Sequence, residues 1–319
     1  MKAVILDEYG DNQVLRYTDV DMPRPQAGQV LVKIHAAGVN PVDWKIRSGL
    51  GRRMGLTLPI RLGGEIAGTV AGLGEGTEGF EAFEVGDAVF GIIGTGGFAE
   101  YAVVDAASLA PKPANLDFVQ AAAVPLGGLT AWQALFDLGG LVAGQRLRIT
   151  SGSGGVGSLA VQIAKAGGAH VTAMASGRNE AYVRGLGADD FIDYGRQPFE
   201  QVARNMDVVF DTVGGDTFQR AFSTLRKGGV LVTAVEFPKD EAQKYGVRVS
   251  RVFCKPDTSQ LAAIRDMVEA GQLKPHVAAV LPLADIRQAL ELSESGRTRG
   301  KLVLLVAPPS RADCGHRLD

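Results

Sequence analysis

The sequence predicts an α/β protein in which a strand-rich part and a strand–helix alternating part share one chain. Three observations carry this. Up to Pro111 and Pro113 the chain reads as short apolar strands broken by glycine. From about Asp117 the apolar period changes to alternating strands and helices. Between one such strand and its helix sits the glycine-rich run SGSGGVG.

In VLVKIHAAGV the side chains alternate, with Val30, Val32 and Ile34 on one face and Leu31, Lys33 and His35 on the other, the period of a half-buried strand. Pro23, Pro25 and Gly28 punctuate its approach. The stretches GGEIAGTVAGLGEG and EVGDAVFGIIGTGGFAEYAVV repeat the theme, so the spacing predicts a compact β-barrel or sandwich-like domain. DFVQAAAVPLGGLTAWQALFDLGG reads as helix around a break at Pro125–Gly128. LRIT is then a strand and GSLAVQIAKAGG a helix with Leu159, Ile163 and Ala166 on one stripe. HVTAMAS, DFIDY, MDVVFDTVGG and VLVTAV follow as strands, with NEAYVRGLG and TFQRAFSTLRKGG as the helices among them. Such alternation means βαβ units and a parallel sheet, and near-continuous apolar strands fit a sheet buried on both faces. SQLAAIRDMVEAG and ADIRQALELSES read as helices, HVAAVLPL and GKLVLLV as strands, and the tail 307–319 as a frayed end.

Composition narrows the function classes. The chain has 319 residues, 46% apolar and 21% charged, which excludes a disordered chain and is a soft indication of two domains. A formal net charge of −2 provides no basic footprint for nucleic acid and no polybasic membrane arm. Cys254 and Cys314 are the two cysteines, too few for a disulfide framework or a four-thiolate zinc site. MKAVILDEYG does not read as a signal peptide, and no apolar run reaches membrane-spanning length. The expected location is cytoplasmic, with neither nucleic acid nor membrane as partner.

The loop carries the chemistry. Gly152, Gly154 and Gly157 satisfy G-x-G-x-x-G after a strand and at the start of a helix, the context that makes this motif a dinucleotide site rather than a surface turn. Ser153, Gly155 and Val156 complete the loop. The glycines allow a tight turn and close approach of pyrophosphate, and the helix N-terminus offers free N–H groups. The next strand ends Ala-Met-Ala-Ser-Gly-Arg-Asn, where an NAD-binding unit would place an acid for the ribose hydroxyls. Ser176 and Arg178 stand there instead, suited to a 2′-phosphate. The expected cofactor is NADPH; the alternative for Arg178 is a solvated surface side chain.

Several spaced motifs together, GVNPVDWKIRSG, LGGEIAGTVAGLG, VGDAVFG, GGFAEY, VPLGGLTAW, SGSGGVGSLAVQIAKAGGAHV, FDTVGG and GKLVL, resemble the medium-chain dehydrogenase/reductase superfamily, and within it the zinc-independent, zeta-crystallin-like quinone oxidoreductases. The resemblance implies a GroES-like β-barrel catalytic domain over 1–117 and 258–319, and a Rossmann doubly wound parallel-sheet NADPH domain over 118–257. It implies Asn40 and Asp43 near the nicotinamide and Thr130 at the carboxamide or its ribose. Gly154, Gly155 and Val156 would hold the pyrophosphate, with Gly152 and Ser153 in the same loop. Ser176, Arg178 and Tyr194 would surround the 2′-phosphate, with Asn179 beside them, and Thr212 and Val213 would line the ribose and nicotinamide. Ordinary packing is the alternative for Thr130 and Thr212, and a buried strand-end aromatic for Tyr194. A homodimer through Rossmann edge strands is implied, with VRVSRVF as the candidate edge.

By the same resemblance, the positions at which zinc-containing relatives place metal ligands are Asn40 and Gly64, leaving Glu65. These do not make a catalytic zinc site, so no metal is expected, and Glu65 reads as a hydrogen-bonding structural residue rather than a base. His35, His170, His276 and His316 are scattered. Without a Lewis acid for alcohol oxidation, the expected reaction is hydride transfer to a small electrophile, a quinone or an α,β-unsaturated carbonyl. Developing oxyanion charge would be met by the Asn40 amide, backbone N–H groups or water. No tyrosine follows NPVD in RSGLGRRMG, which leaves water as proton donor. Trp44, Lys45, Arg47, Arg52 and Arg53 form either a basic mouth for anionic substrates or a solvated loop. An enoyl-thioester reductase or biosynthetic tailoring enzyme on the same fold, and a non-catalytic NADPH-binding protein, are the competing readings.

Overall fold

The computed structural model describes residues 1–75 and 83–306; the expected tail 307–319, with Cys314 and His316, lies outside them. The elements run β1 (Lys2–Leu6), β2 (Leu15–Asp19), β3 (Gln29–Val39), α1 (Pro41–Lys45), α2 (Gly51–Arg53), β4 (Ile60–Arg61), β5 (Glu65–Leu73), β6 (Ala88–Ile92), β7 (Tyr101–Asp105), β8 (Leu109–Pro111), α3 (Phe118–Ala121), α4 (Pro125–Trp132) and β9 (Arg146–Ile149). There follow α5 (Gly155–Ala166), β10 (His170–Ala175), α6 (Glu180–Gly185), β11 (Asp190–Asp193), α7 (Phe199–Val202), β12 (Met206–Asp211), α8 (Gly215–Ala221), β13 (Leu225–Thr233), α9 (Glu241–Tyr245) and β14 (Arg248–Arg251). The chain ends with α10 (Thr258–Glu269), β15 (Val277–Pro282), α11 (Ile286–Glu294) and β16 (Lys301–Leu305).

The chain divides into two compact units. The first comprises Met1–Leu126, Pro256–Asp266 and Pro275–Asp319. Its main sheet runs β15-β16-β3-β5-β6-β8 with β7 also on β3, and a smaller sheet runs β2-β1-β4. Alternate residues of β3, Val30, Val32 and Ile34, are fully buried with Val4, Leu6, Ile66 and Leu109 in one apolar cluster, as the period of the strand predicts. The division falls at Leu126 rather than at 117 because α3 packs on β3 and β5.

The second unit comprises Gly127–Lys255 and Met267–Lys274. Its six strands are all parallel, in the order β11-β10-β9-β12-β13-β14. Counted from β9 as first, that is 3-2-1-4-5-6, the Rossmann order. Apolar strands fill the sheet: Val208, Val209 and Phe210 of β12 and Val230, Leu231 and Val232 of β13 are buried.

Two expected elements need correction. The helix predicted over TFQRAFSTLRKGG stops early, because Leu225 to Gly229 already belong to β13; a Leu-Arg-Lys run carries helix propensity, and parallel pairing on β12 overrides it. Pro125–Gly128 is not a break. Pro125 opens α4 and the glycines lie inside it, since proline's fixed φ suits the first helical position.

Candidate active site

In the second unit the predicted cofactor residues other than Thr130 follow the carboxyl ends of β9, β10, β11 and β12, along one edge of the sheet. Gly154 caps α5 in extended conformation (φ −81°, ψ 177°), so the N–H groups of the following turn lack intrahelical acceptors. A Cβ on Gly157 would lie 1.7 Å from the Ser151 carbonyl oxygen, and one on Gly152 2.8 Å from the Ala173 Cβ. These two glycines are therefore demanded by helix–strand packing. A Cβ on Gly154 would come closer than 3.4 Å only to the flexible Ser151 hydroxyl, at 2.9 Å, with the Ser151 carbonyl oxygen at an ordinary 3.5 Å.

Beside the loop, Asn179 donates its side-chain amide to the hydroxyls of Ser153 and Ser176, both at 3.1 Å. This bridge between Ser153 and Ser176 makes Asn179 an organiser of the cradle. Arg178, on the short 3₁₀ turn Gly177–Asn179, is exposed at the end of β10. Tyr194 follows β11, and its backbone N–H donates to the Ala175 carbonyl at 3.4 Å. The residue is 61% exposed, which removes the alternative of a buried strand-end aromatic. An acid that single-strand reading did not weigh also stands here: a Cβ on Gly177 would meet the Asp193 carboxylate at 2.4 Å. That carboxylate accepts from the Gly195 N–H at 3.0 Å and pairs with Arg196 at 3.3 Å.

At the end of β12 the buried Asp211 organises the turn that carries Thr212 and Val213. It accepts from the Val213 and Gly214 N–H groups, both at 3.1 Å, and from the hydroxyls of Thr150 at 3.3 Å and Thr233 at 2.9 Å. Thr150 in turn accepts the Thr212 N–H at 2.9 Å, and the Val213 side chain is left exposed. Behind the turn, Arg148 is fully buried. Burial pushes its pKa down to about 9, against the pull of Asp211 and Glu200. Thr130 is buried in α4, one turn beyond Gly127. Gly127 sets α4 close against the start of α5, since a Cβ there would lie 3.0 Å from the Leu159 side chain and 3.3 Å from the Gly155 carbonyl oxygen.

In the first unit, Asn40 and Asp43 belong to one capped turn. Asp43 accepts the Asn40 N–H at 2.7 Å. Asn40 donates its amide to the Glu65 carboxylate at 2.8 Å and to the Gly38 carbonyl at 3.4 Å. Its amide oxygen accepts from the Lys301 ammonium at 2.5 Å, and Lys301 also pairs with Glu65. The other Glu65 oxygen accepts the Leu126 N–H at 2.8 Å, so Glu65 is the hydrogen-bonding residue expected. Both amide protons of Asn40 are engaged, so this side chain offers none to an oxyanion as it stands. All four side chains are buried. Burial pushes the Asp43 carboxyl up to about 7, Glu65 adds to the rise, and the backbone N–H groups of Asn40 and Gly63 together with Lys301 oppose it.

Lys301 is the residue that reading the sequence missed. Its signal was present: a lysine opening an otherwise apolar strand, KLVLL. The basic mouth also needs correction. Arg47 is buried and bonds the Gly10 carbonyl, Asn12 and Glu294, so it holds structure rather than facing a substrate. Arg52 lies over the Tyr9 ring at 4.9 Å, and Lys45 over Trp44 at 5.5 Å.

Comparison with known proteins supplies the family. The description "Alcohol dehydrogenase GroES-like domain" matches residues 26–114, and "Zinc-binding dehydrogenase" matches 186–304. The chain is 33% identical to the NAD(P)H oxidoreductase RTN4IP1, mitochondrial, of Danio rerio, over 96% of this chain and 91% of that one. It is 32% identical to the NADPH-dependent alkenal/one oxidoreductase, chloroplastic, of Arabidopsis thaliana, over 97% and 80%. The solved quinone oxidoreductase of Coxiella burnetii superposes with a TM-score of 0.89 at 33% identity, over 96% and 99%. The chain belongs to the medium-chain dehydrogenase/reductase superfamily, in its zinc-independent quinone oxidoreductase branch.

Zinc, which one of the matching families is named for, does not fit the residues present. Gly64 has no side-chain ligand atom, the Asn40 amide nitrogen is a donor, the Asn40 oxygen and one Glu65 oxygen already face an ammonium, and the other Glu65 oxygen accepts the Leu126 N–H. The glycine loop, by contrast, fits a dinucleotide: its packing requires glycine, and it leads into a helix N-terminus.

Proposed function

We propose that this oxidoreductase transfers hydride from NADPH to a quinone or an α,β-unsaturated carbonyl, without zinc. The observation that carries the reading is the edge of the parallel sheet where the loop 152–157 stands beside Ser176, Arg178 and Tyr194, with no acid in the segment 174–179 itself and the Asp193 carboxylate, from β11, paired with Arg196. The names of the Coxiella and Arabidopsis relatives, a quinone and an alkenal/one oxidoreductase, agree with it.

In this reading the first-turn N–H groups of α5 and Gly154, Gly155 and Val156 hold pyrophosphate. Ser176, Arg178 and Tyr194 recognise the 2′-phosphate, and Gly152, Ser153 and Asn179 shape the cradle. Thr130, Thr212 and Val213 orient the ribose and nicotinamide, and the Asn40–Asp43 turn stands beside the reacting end. NADPH supplies the hydride. The protein positions the acceptor and excludes water, and water is the proton source.

We further propose a cytoplasmic homodimer. The arguments are the few cysteines and the open edge of β14 at the end of the six-stranded sheet. No helix among the described residues is long and apolar enough to cross a membrane. Analytical ultracentrifugation decides the assembly, and a monomer at micromolar concentration refutes it.

The function is tested by following NADPH absorbance with EDTA-treated protein, a simple para-quinone in one cuvette and a simple enone in another. Rapid oxidation of NADPH in either supports the reading. No oxidation in either, in protein that binds NADPH, overturns it.

A further inference from the structure

Lys301 is the first residue of the final strand and enters it from Gly300, whose φ is +73° and whose added Cβ would lie 2.2 Å from the His276 carbonyl oxygen. The strand pairs antiparallel with β3, Leu302 opposite Val39, so the register sets Lys301 beside Asn40. Gly38 is the complementary feature on β3. A Cβ there would lie 2.2 Å from the Glu65 carboxylate and 2.5 Å from the Ala122 carbonyl, so only glycine lets Glu65 lie flat against the strand. The result is one buried ammonium touching both the amide oxygen of Asn40 and the carboxylate of Glu65.

A buried ion pair is a poor source of stability but a sharp constraint on geometry. Here it fixes which way round the Asn40 amide sits, since the ammonium can donate only to the amide oxygen and the carboxylate can accept only from the amide nitrogen. The backbone of Asn40 is then held by Asp43. We propose that Lys301 is a positioning residue for hydride transfer: its ammonium orients the Asn40 amide and with it the Asn40–Asp43 turn. This rests on the reading of that turn as lying beside the nicotinamide.

The charges around Asp43 are few. Lys301 and Glu65 face it from β16 and β5. On the elements packed against α1, Arg47 and Glu294 pair with each other, Arg287 donates to the Leu15 carbonyl, and Glu291 accepts from Asn12. Lys45, on α1 itself, lies over Trp44.

The test uses full-length protein as K301M, K301R, E65Q and the double variant K301M/E65Q, with quinone kinetics and an NMR titration of the Asp43 carboxyl carbon. The expected result for K301M is a kcat about a hundredfold lower, with KM for NADPH changed less than about threefold, since the cofactor cradle is built in the other unit. K301R recovers part of kcat. The double variant removes both charges and restores the melting temperature without restoring kcat. The Asp43 midpoint moves up in K301M and down in E65Q, in opposite senses.

A kcat that tracks melting temperature across the series, or full recovery in the double variant, overturns the proposal. So do Asp43 midpoints that stay put or move together. A wild type that binds NADPH but reduces no acceptor refutes the proposed function instead, whereas an active wild type whose variants lose kcat only in step with melting temperature refutes the role of Lys301 alone.

Discussion

Replacing Arg178 by alanine tests the cofactor assignment with little risk to the fold, because the side chain is exposed on a short turn after β10. A charge-assisted hydrogen bond to a phosphate contributes about 1.5–3 kcal/mol in a sheltered site, whereas exposed ion pairs contribute about 0.2–1 kcal/mol. The exposure of Arg178 places it between the two ranges, at about 1–1.5 kcal/mol, or roughly five- to thirteenfold in preference for NADPH over NADH. Ser176 and Tyr194 remain in the variant, so preference should fall and not invert. The assay is kcat/KM for both cofactors with one quinone, supported by fluorescence titration of NADPH. Rising ionic strength should erode the wild-type preference, as the screening length shrinks to about 8 Å at physiological salt, and should leave the variant's nearly flat. A preference unchanged within about twofold, or equal losses with both cofactors, would refute the reasoning.

Other perturbations probe the scaffold and the buried turn. Gly157→Ala forces its methyl group onto the Ser151 carbonyl; the strain, about 1–3 kcal/mol by analogy with overpacked cores, should lower the melting temperature and weaken NADPH binding together. Asp211→Ala strands the hydroxyls of Thr150 and Thr233 and two backbone N–H groups. At about 1–3 kcal/mol per unpaired buried group, it should be among the most destabilising single changes in the second unit, as urea denaturation would show.

Asp43 carries a pH signature. Its carboxyl is raised from 3.8 to about 7 in the folded protein, so between those values the native state holds a proton that the unfolded chain has released. Its contribution to stability is full below about pH 4 and declines until pH reaches about 7, by an amount on the order of a few kcal/mol. Asp43→Asn should remove that decline, read as the difference between wild-type and variant urea stabilities at about pH 5 and about pH 8. A difference independent of pH would show that the carboxyl is not raised.

Much of this molecule was legible in one dimension. The change of apolar period at Asp117 marked the shift from antiparallel strands to βαβ units, because periodicity reports which face of each element is buried. The glycine loop could be placed because each glycine answers a local demand: Gly157 against Ser151 and Gly152 against Ala173 are contacts made within one βαβ unit. The missing acid after β10 could be read for the same reason. Tertiary structure decided what depends on distant segments. Leu225–Gly229 became strand because β12 lay alongside. Arg47 was drawn inward by Gly10, Asn12 and Glu294. Asp193 came beside Gly177 only because β11 pairs with β10. Lys301 reaches Asn40 across a sequence separation of 261 residues; local patterns report local burial, whereas the partner of a buried charge is set by strand register, which no window of sequence contains.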